Sequence, residues 1–144
     1  MNGDKVRMKK QILFVYFIFG VAVSNFSHDA QAATPELWVN GKRVSQANIQ
    51  VVAERRNLEE KFERWLDAAV ADLERILPLF GVELSPDAPF SIIVGGKVPE
   101  PLQALVKKER YPNQTSVIRI TDREIHVTSP GGRGLGKAVY TFLD

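Results

Sequence analysis

The sequence predicts an α+β fold in which a long amphipathic helix and a C-terminal helix pack on one face of a mixed or antiparallel sheet. Three observations point there. Apolar residues recur at spacings of three and four through one long segment, short β-branched runs are bounded by turn residues elsewhere, and a glycine-rich turn launches an apolar helical pattern at the end of the chain.

The amino-terminal segment is read first because it must be set aside from the fold. Lys5, Arg7, Lys9 and Lys10 precede an uncharged apolar run from Ile12 to Val23, and Ala30-Gln31-Ala32 supplies small residues for cleavage. That order is the layout of a secretory signal peptide over residues 1–32, and the run is shorter than the roughly 20 residues needed to span a bilayer. The expectation is an exported protein, periplasmic, extracellular or at the cell surface, with no stable membrane span after cleavage. Residues 1–32 hold Lys5, Arg7, Lys9 and Lys10 against Asp4 and Asp29, so of the 19 basic and 17 acidic residues, fifteen of each remain in residues 33–144. The remainder is formally neutral with interspersed charges, which excludes the basic stripe that a nucleic-acid partner requires. With no cysteine in the chain, disulfides, thiolate metal sites and a cysteine nucleophile are all excluded.

Within residues 33–144 the first elements are an extended stretch from Leu37 to Val39, the turn pair Asn40-Gly41, and a second extended stretch around Ile49 to Ala53. These predict a β-hairpin or two sheet edges. Leu58, Phe62, Trp65, Leu66, Ala69, Val70, Leu73, Ile76, Leu77 and Phe80 then fall on one face of a long helix, opposite Glu59, Lys61, Glu63, Arg64, Asp67, Asp72, Glu74 and Arg75. Asn57 and Glu60 have the spacing of a capping box, Pro78 predicts a distorted last turn, and Gly81 the stop. After the turn-rich Ser85 to Pro89, the run Phe90 to Val94, closed by Gly95-Gly96, predicts a central strand. Leu102, Leu105 and Val106 permit a short helix between Pro99 and Lys108. Val117 to Ile120 and Glu124 to Thr128 flank a polar turn as an antiparallel hairpin, with Ile118, Ile120, Ile125 and Val127 facing the long helix and Arg119, Glu124 and His126 facing away.

The chain closes with a glycine turn, expected to exploit positive φ at Gly131 to Gly136, and a helix bearing Ala138, Val139, Tyr140, Phe142 and Leu143. That helix is expected to bury its apolar side against material encoded elsewhere, so the segment reads as a domain cut off from something larger.

Leu73-Glu74-Arg75-Ile76-Leu77, Phe90 to Gly95, Glu124 to Thr128, Arg133-Gly134-Leu135 and Ala138 to Asp144 carry a resemblance. Residues 37–144 resemble the N-terminal domain of α-glucuronidases, which is similar to the second domain of β-hexosaminidases. The resemblance implies a β-hexosaminidase domain 2-like fold and an accessory role, because in these families the catalytic carboxylates lie on a barrel that follows. It therefore implies no catalytic residue, cofactor or metal here, and a downstream catalytic domain or a glycan as partner. This chain departs from the family at Lys137, where an aromatic residue is usual.

The residues offer four other candidate sites, each with a duller explanation. Gly131 to Lys137 has the glycine and lysine spacing of a phosphate-binding loop, but Ala138 stands where Ser or Thr must hold Mg²⁺, so a structural turn is expected. Asp67, Asp72, Glu74, Asp122 and Glu124 are expected to be solvated, because glycoside hydrolysis needs two carboxyls facing each other about 5 to 9.5 Å apart across a cleft. His126, the only histidine in residues 33–144, is expected on a strand surface with no metal set around it. Of the two tryptophans, Trp65 is expected in the core and Trp38 is the candidate substrate-binding residue, since an indole face suits the apolar face of a sugar. The main functional expectation is a non-catalytic accessory domain of an exported carbohydrate-active protein. The alternative is a stand-alone exported glycan-binding module that uses Trp38 or the exposed face of the hairpin.

Overall fold

The computed structural model describes residues 34–53 and 58–144. The chain divides into a unit of residues 1–30 and a unit Gln31–Asp144, and all of the described residues belong to the second. The expected signal peptide over residues 1–32, its cleavage site, and the expected cap residue Asn57 lie outside the described residues.

Strands β1 (Trp38–Val39) and β2 (Lys42–Arg43) form an antiparallel hairpin around Asn40 and Gly41. Both turn residues take left-handed backbone, with φ of 49° and 76°, which is the type I′ geometry that an Asn-Gly pair favours. Such a turn pairs the residues that directly adjoin it, so the partner strand is Lys42–Arg43 and not the stretch around Ile49 to Ala53. That stretch belongs to β3 (Gln46–Val51), a strand of the main sheet.

Helix α1 (Glu60–Ile76) follows, with Glu59 in the cap position and no side-chain cap bond. It starts later than the expected capping box, because Glu60 is the first helical residue and turns its carboxylate to Arg64 in the next turn. Pro78 and Gly81 act as expected. The chain tightens into a 3₁₀ turn over Leu77–Phe80, and Gly81 stops it in left-handed conformation at φ 68°. A two-residue strand, β4 (Glu83–Leu84), comes next, then β5 (Ser91–Val94), helix α2 (Glu100–Val106), the hairpin β6 (Val117–Ile120) and β7 (Glu124–Thr128), and helix α3 (Gly132–Leu143).

The fold is α+β with a mixed five-stranded sheet in the order β4-β3-β5-β7-β6. β3 runs parallel to β4 and β5, β5 parallel to β7, and β6 antiparallel to β7. The run Phe90 to Val94 thus supplies the central strand, as its β-branched character predicts. Register aligns two apolar rows across four strands: Ile49, Ile92, Ile125 and Ile120 in one, Val51, Val94, Val127 and Ile118 in the other. These rows share one core with Leu66, Ala69 and Leu73 of α1 and Leu135, Ala138 and Val139 of α3. Helix α3 packs on α1, β6 and β7.

Two expectations about the chain's end are corrected. Ala138 and Val139 of α3 are buried within this domain at 0 % exposure, with Phe142 and Leu143 partly buried against the same core and Tyr140 exposed, so most of the helix's apolar side is buried here and not only against other material. Nor do its glycines serve positive φ: Gly131 is extended at φ −123°, and residues 132–136 are helical. They permit close approach instead. A β-carbon on Gly131 would stand 2.6 Å from the Asn113 carbonyl oxygen, and one on Gly134 would overlap the Ser129 hydroxyl and lie 2.8 Å from its Cβ.

A third correction concerns Trp65, which is 60 % exposed although its spacing puts it near the apolar stripe. The stripe that reaches the core is narrower, consisting of Phe62, Leu66, Ala69 and Leu73. Gly136 of α3 lies beside Trp65, where a β-carbon would meet the Trp65 backbone at an ordinary packing distance of 3.5 Å.

Leu66→Ala is expected to cost about 2–5 kcal/mol in a denaturant titration, whereas Trp65→Ala should change stability by no more than about 1 kcal/mol. Gly134→Ala should also destabilise, by about 1–3 kcal/mol, because overlap with Ser129 outweighs a helix-propensity gain of about 1 kcal/mol.

Candidate functional site

A shallow groove of about 550 Å³ lies between α1 and α3, lined by Lys61, Phe62, Trp65, Gln114, Arg133 and Lys137. Its geometry follows from helical spacing. Lys61 and Trp65 are four residues apart on α1, and Arg133 and Lys137 four apart on α3, so each pair rises from one face of its helix. Gln114 comes from a 3₁₀ turn over Pro112–Gln114.

Phe62 is buried, and its ring meets Trp65 edge-on at a centroid distance of 6.1 Å and an interplanar angle of 78°. The Lys61 ammonium lies 4.8 Å from the Phe62 centroid and the Arg133 guanidinium 5.4 Å, both within reach of the negative ring face. Lys61 also pairs with Glu59 at 3.1 Å. Among the described residues Arg133 and Lys137 make no ion pair. Lys137 and Gln114 border a second hollow, beside Arg110, Tyr111 and Ser116, whose buried hydroxyl has no hydrogen-bond partner.

The second face of the sheet carries different chemistry. Register places Gln50, Ile93, His126 and Arg119 in one cross-strand row and Asn48, Ser91 and Glu124 in another. His126 is half-buried, not a free surface imidazole: its Nε2 lies 2.6 Å from the Gly95 carbonyl oxygen, to which it donates. Thr128 donates to the Gly96 carbonyl at 2.8 Å, so the two positive-φ glycines fold the chain back over the ends of these strands. Among the described residues no group of three or more His, Cys, Asp or Glu side chains could hold a metal ion.

The structure separates the other residues singled out in the sequence. Trp38 is 51 % exposed on the β1–β2 hairpin, where its Nε1 donates to Glu36 at 3.2 Å. The glycine and lysine motif at Gly131 to Lys137 is helical from Gly132 onward, so no loop backbone is free to wrap a phosphate. It does bring Arg133 and Lys137 opposite Trp65, a grouping not foreseen from the sequence. Two of the carboxylates are held in structural contacts. Asp122 accepts from Asn40 at 3.0 Å and Lys42 at 3.1 Å, and these two bonds, then the Lys42 charge, hold its pKa below the ordinary value. Asp72 is depressed by its bond from Arg75 and then by that from Tyr140, both near 3 Å. The same contact raises the Tyr140 hydroxyl.

No family model matches the sequence, and no curated protein matches it. Among solved structures, a GH138 enzyme targeting pectin rhamnogalacturonan II is similar at a TM-score of 0.41 and 15 % identity, over 65 % of this chain and 12 % of that one. This chain therefore corresponds to a small part of that enzyme's length. Among the described residues no helix is long and apolar enough to cross a membrane.

The contact between Asp72 and Tyr140 ties α1 to α3 beyond the groove and gives a signed pH dependence. A depressed carboxylate contributes stability above its unfolded pKa and loses it as pH falls through the folded one; a raised phenol contributes below its unfolded pKa and loses it as pH rises through the folded one. Asp72→Asn should therefore lower the thermal midpoint near neutrality, and the gap from the parent protein should close as pH falls through the depressed folded-state pKa of Asp72, as read by calorimetry across pH.

Proposed function

We propose that this chain is a non-catalytic accessory domain of an exported carbohydrate-active protein, of the kind that precedes the catalytic barrel in α-glucuronidases and, as a second domain, in β-hexosaminidases. The observation that carries this reading is the packing of α1 and α3 together with a mixed sheet in one core. This is the arrangement that the motifs at residues 73–77, 90–95, 124–128 and 133–144 imply through their resemblance to that domain.

The carboxylates favour the same reading. Asp122 is held by Asn40 and Lys42 of the first hairpin, and Asp72 by Tyr140 of α3 and by Arg75 one turn along its own helix. A glycosidic bond needs one carboxyl free to give a proton and another facing it across the sugar. In this proposal the domain supplies a scaffold, a following barrel supplies the acids, and residues 1–32 direct the whole to export.

The test compares the chain alone with the chain joined to the sequence encoded beyond Asp144, on glucuronosyl and hexosaminyl substrates. Hydrolysis is expected only from the joined protein. Turnover by this chain alone, in proportion to its concentration, would defeat the proposal.

A further inference from the structure

The accessory reading leaves the groove between α1 and α3 without a task. We infer that this groove binds an acidic oligosaccharide, with a pyranose ring against the exposed face of Trp65 and a carboxylate held by Arg133 and Lys137.

The indole supplies the first requirement. Trp65 stands 60 % exposed beside a buried Phe62, an aromatic platform that water solvates poorly and that the C–H face of a pyranose can cover. Charge supplies the second. Arg133 lies in the first turn of α3, where the helix already carries a partial positive charge, and that turn holds no acidic residue and no side-chain cap. Lys137 adds a further cation one turn on, and among the described residues neither it nor Arg133 has an acidic partner. Two positive side chains and the positive end of a helix thus converge within reach of one flat aromatic surface. Gln114 adds an amide able to bond a hydroxyl.

The dimensions favour a saccharide over larger anionic partners. A groove of about 550 Å³ suits a small ligand. A stable protein interface needs more than about 1,000 Å² of buried surface. A nucleic-acid strand needs a positive track along its backbone, but the fifteen basic residues of residues 33–144 are interspersed with as many acidic ones.

The probes are a short oligogalacturonate and a neutral cello-oligosaccharide of matched length, titrated into the purified full chain by calorimetry and tryptophan fluorescence. Saturable binding of the uronate is expected, with at least about tenfold weaker binding of the neutral sugar and a further loss as salt rises from about 0.05 to 0.5 M. Trp65→Ala and the double variant Arg133→Gln/Lys137→Gln should each weaken uronate binding by about tenfold or more, with the thermal midpoint of each variant confirming that it folds. Absence of uronate binding, equal binding of both sugars, or unchanged affinity in the folded variants would overturn the inference. So would loss of binding on Trp38→Ala in place of Trp65→Ala, which would move the site to the hairpin, or tighter binding of a single-stranded oligonucleotide. The hydrolysis assay does not depend on these outcomes, so scaffold and binding site can fail separately.

Discussion

The close approach of α3 to its neighbours is the constraint on which the rest of this domain depends. Side chains at Gly131 and Gly134 would collide with Asn113 and Ser129, and Gly136 lies against the Trp65 backbone. Because those positions carry no side chain, Leu135, Ala138 and Val139 reach the same core as Leu66, Ala69 and Leu73. The isoleucine and valine rows of the sheet are then covered by two helices in mutual contact. Apolar burial stabilises the assembly, and the absence of side chains at those positions on α3 sets how closely the pieces meet.

That closeness also creates the groove. The Trp65 indole stands exposed at the rim of the contact between the two helices. The cations of α3 line the groove beside it, and Phe62 is a buried ring approached by Lys61 of α1 and Arg133 of α3.

The elements with strong periodicity were legible in the sequence. The β-branched run at residues 90–94 reads as a central strand, Val117 to Thr128 reads as a hairpin, and Pro78 with Gly81 marks the helix end. What was not legible depends on pairing across distance. Asn40-Gly41 announces a turn, but it does not reveal that β3 leaves the small hairpin to join β5 in parallel. The glycines before and within α3 look like a loop motif because a glycine that permits close approach and one that permits positive φ are the same letter. Trp65 was assigned to the core for a similar reason: spacing defines a stripe, but how much of it is covered depends on the neighbouring helix. The spacings of Lys61 with Trp65 and of Arg133 with Lys137 were visible; that the two pairs face each other was not.

The Asp122 contacts bear on how the chain assembles. Asn40 and Lys42 reach a carboxylate 82 and 80 residues away, joining the tip of the first hairpin to the turn of the last. Each hairpin needs only local chain to close, whereas the contact between them closes a long loop and so carries the larger entropic cost of bringing its ends together. The clamp thus ties the two ends of the domain to each other at positions that sequence neighbours alone could not connect.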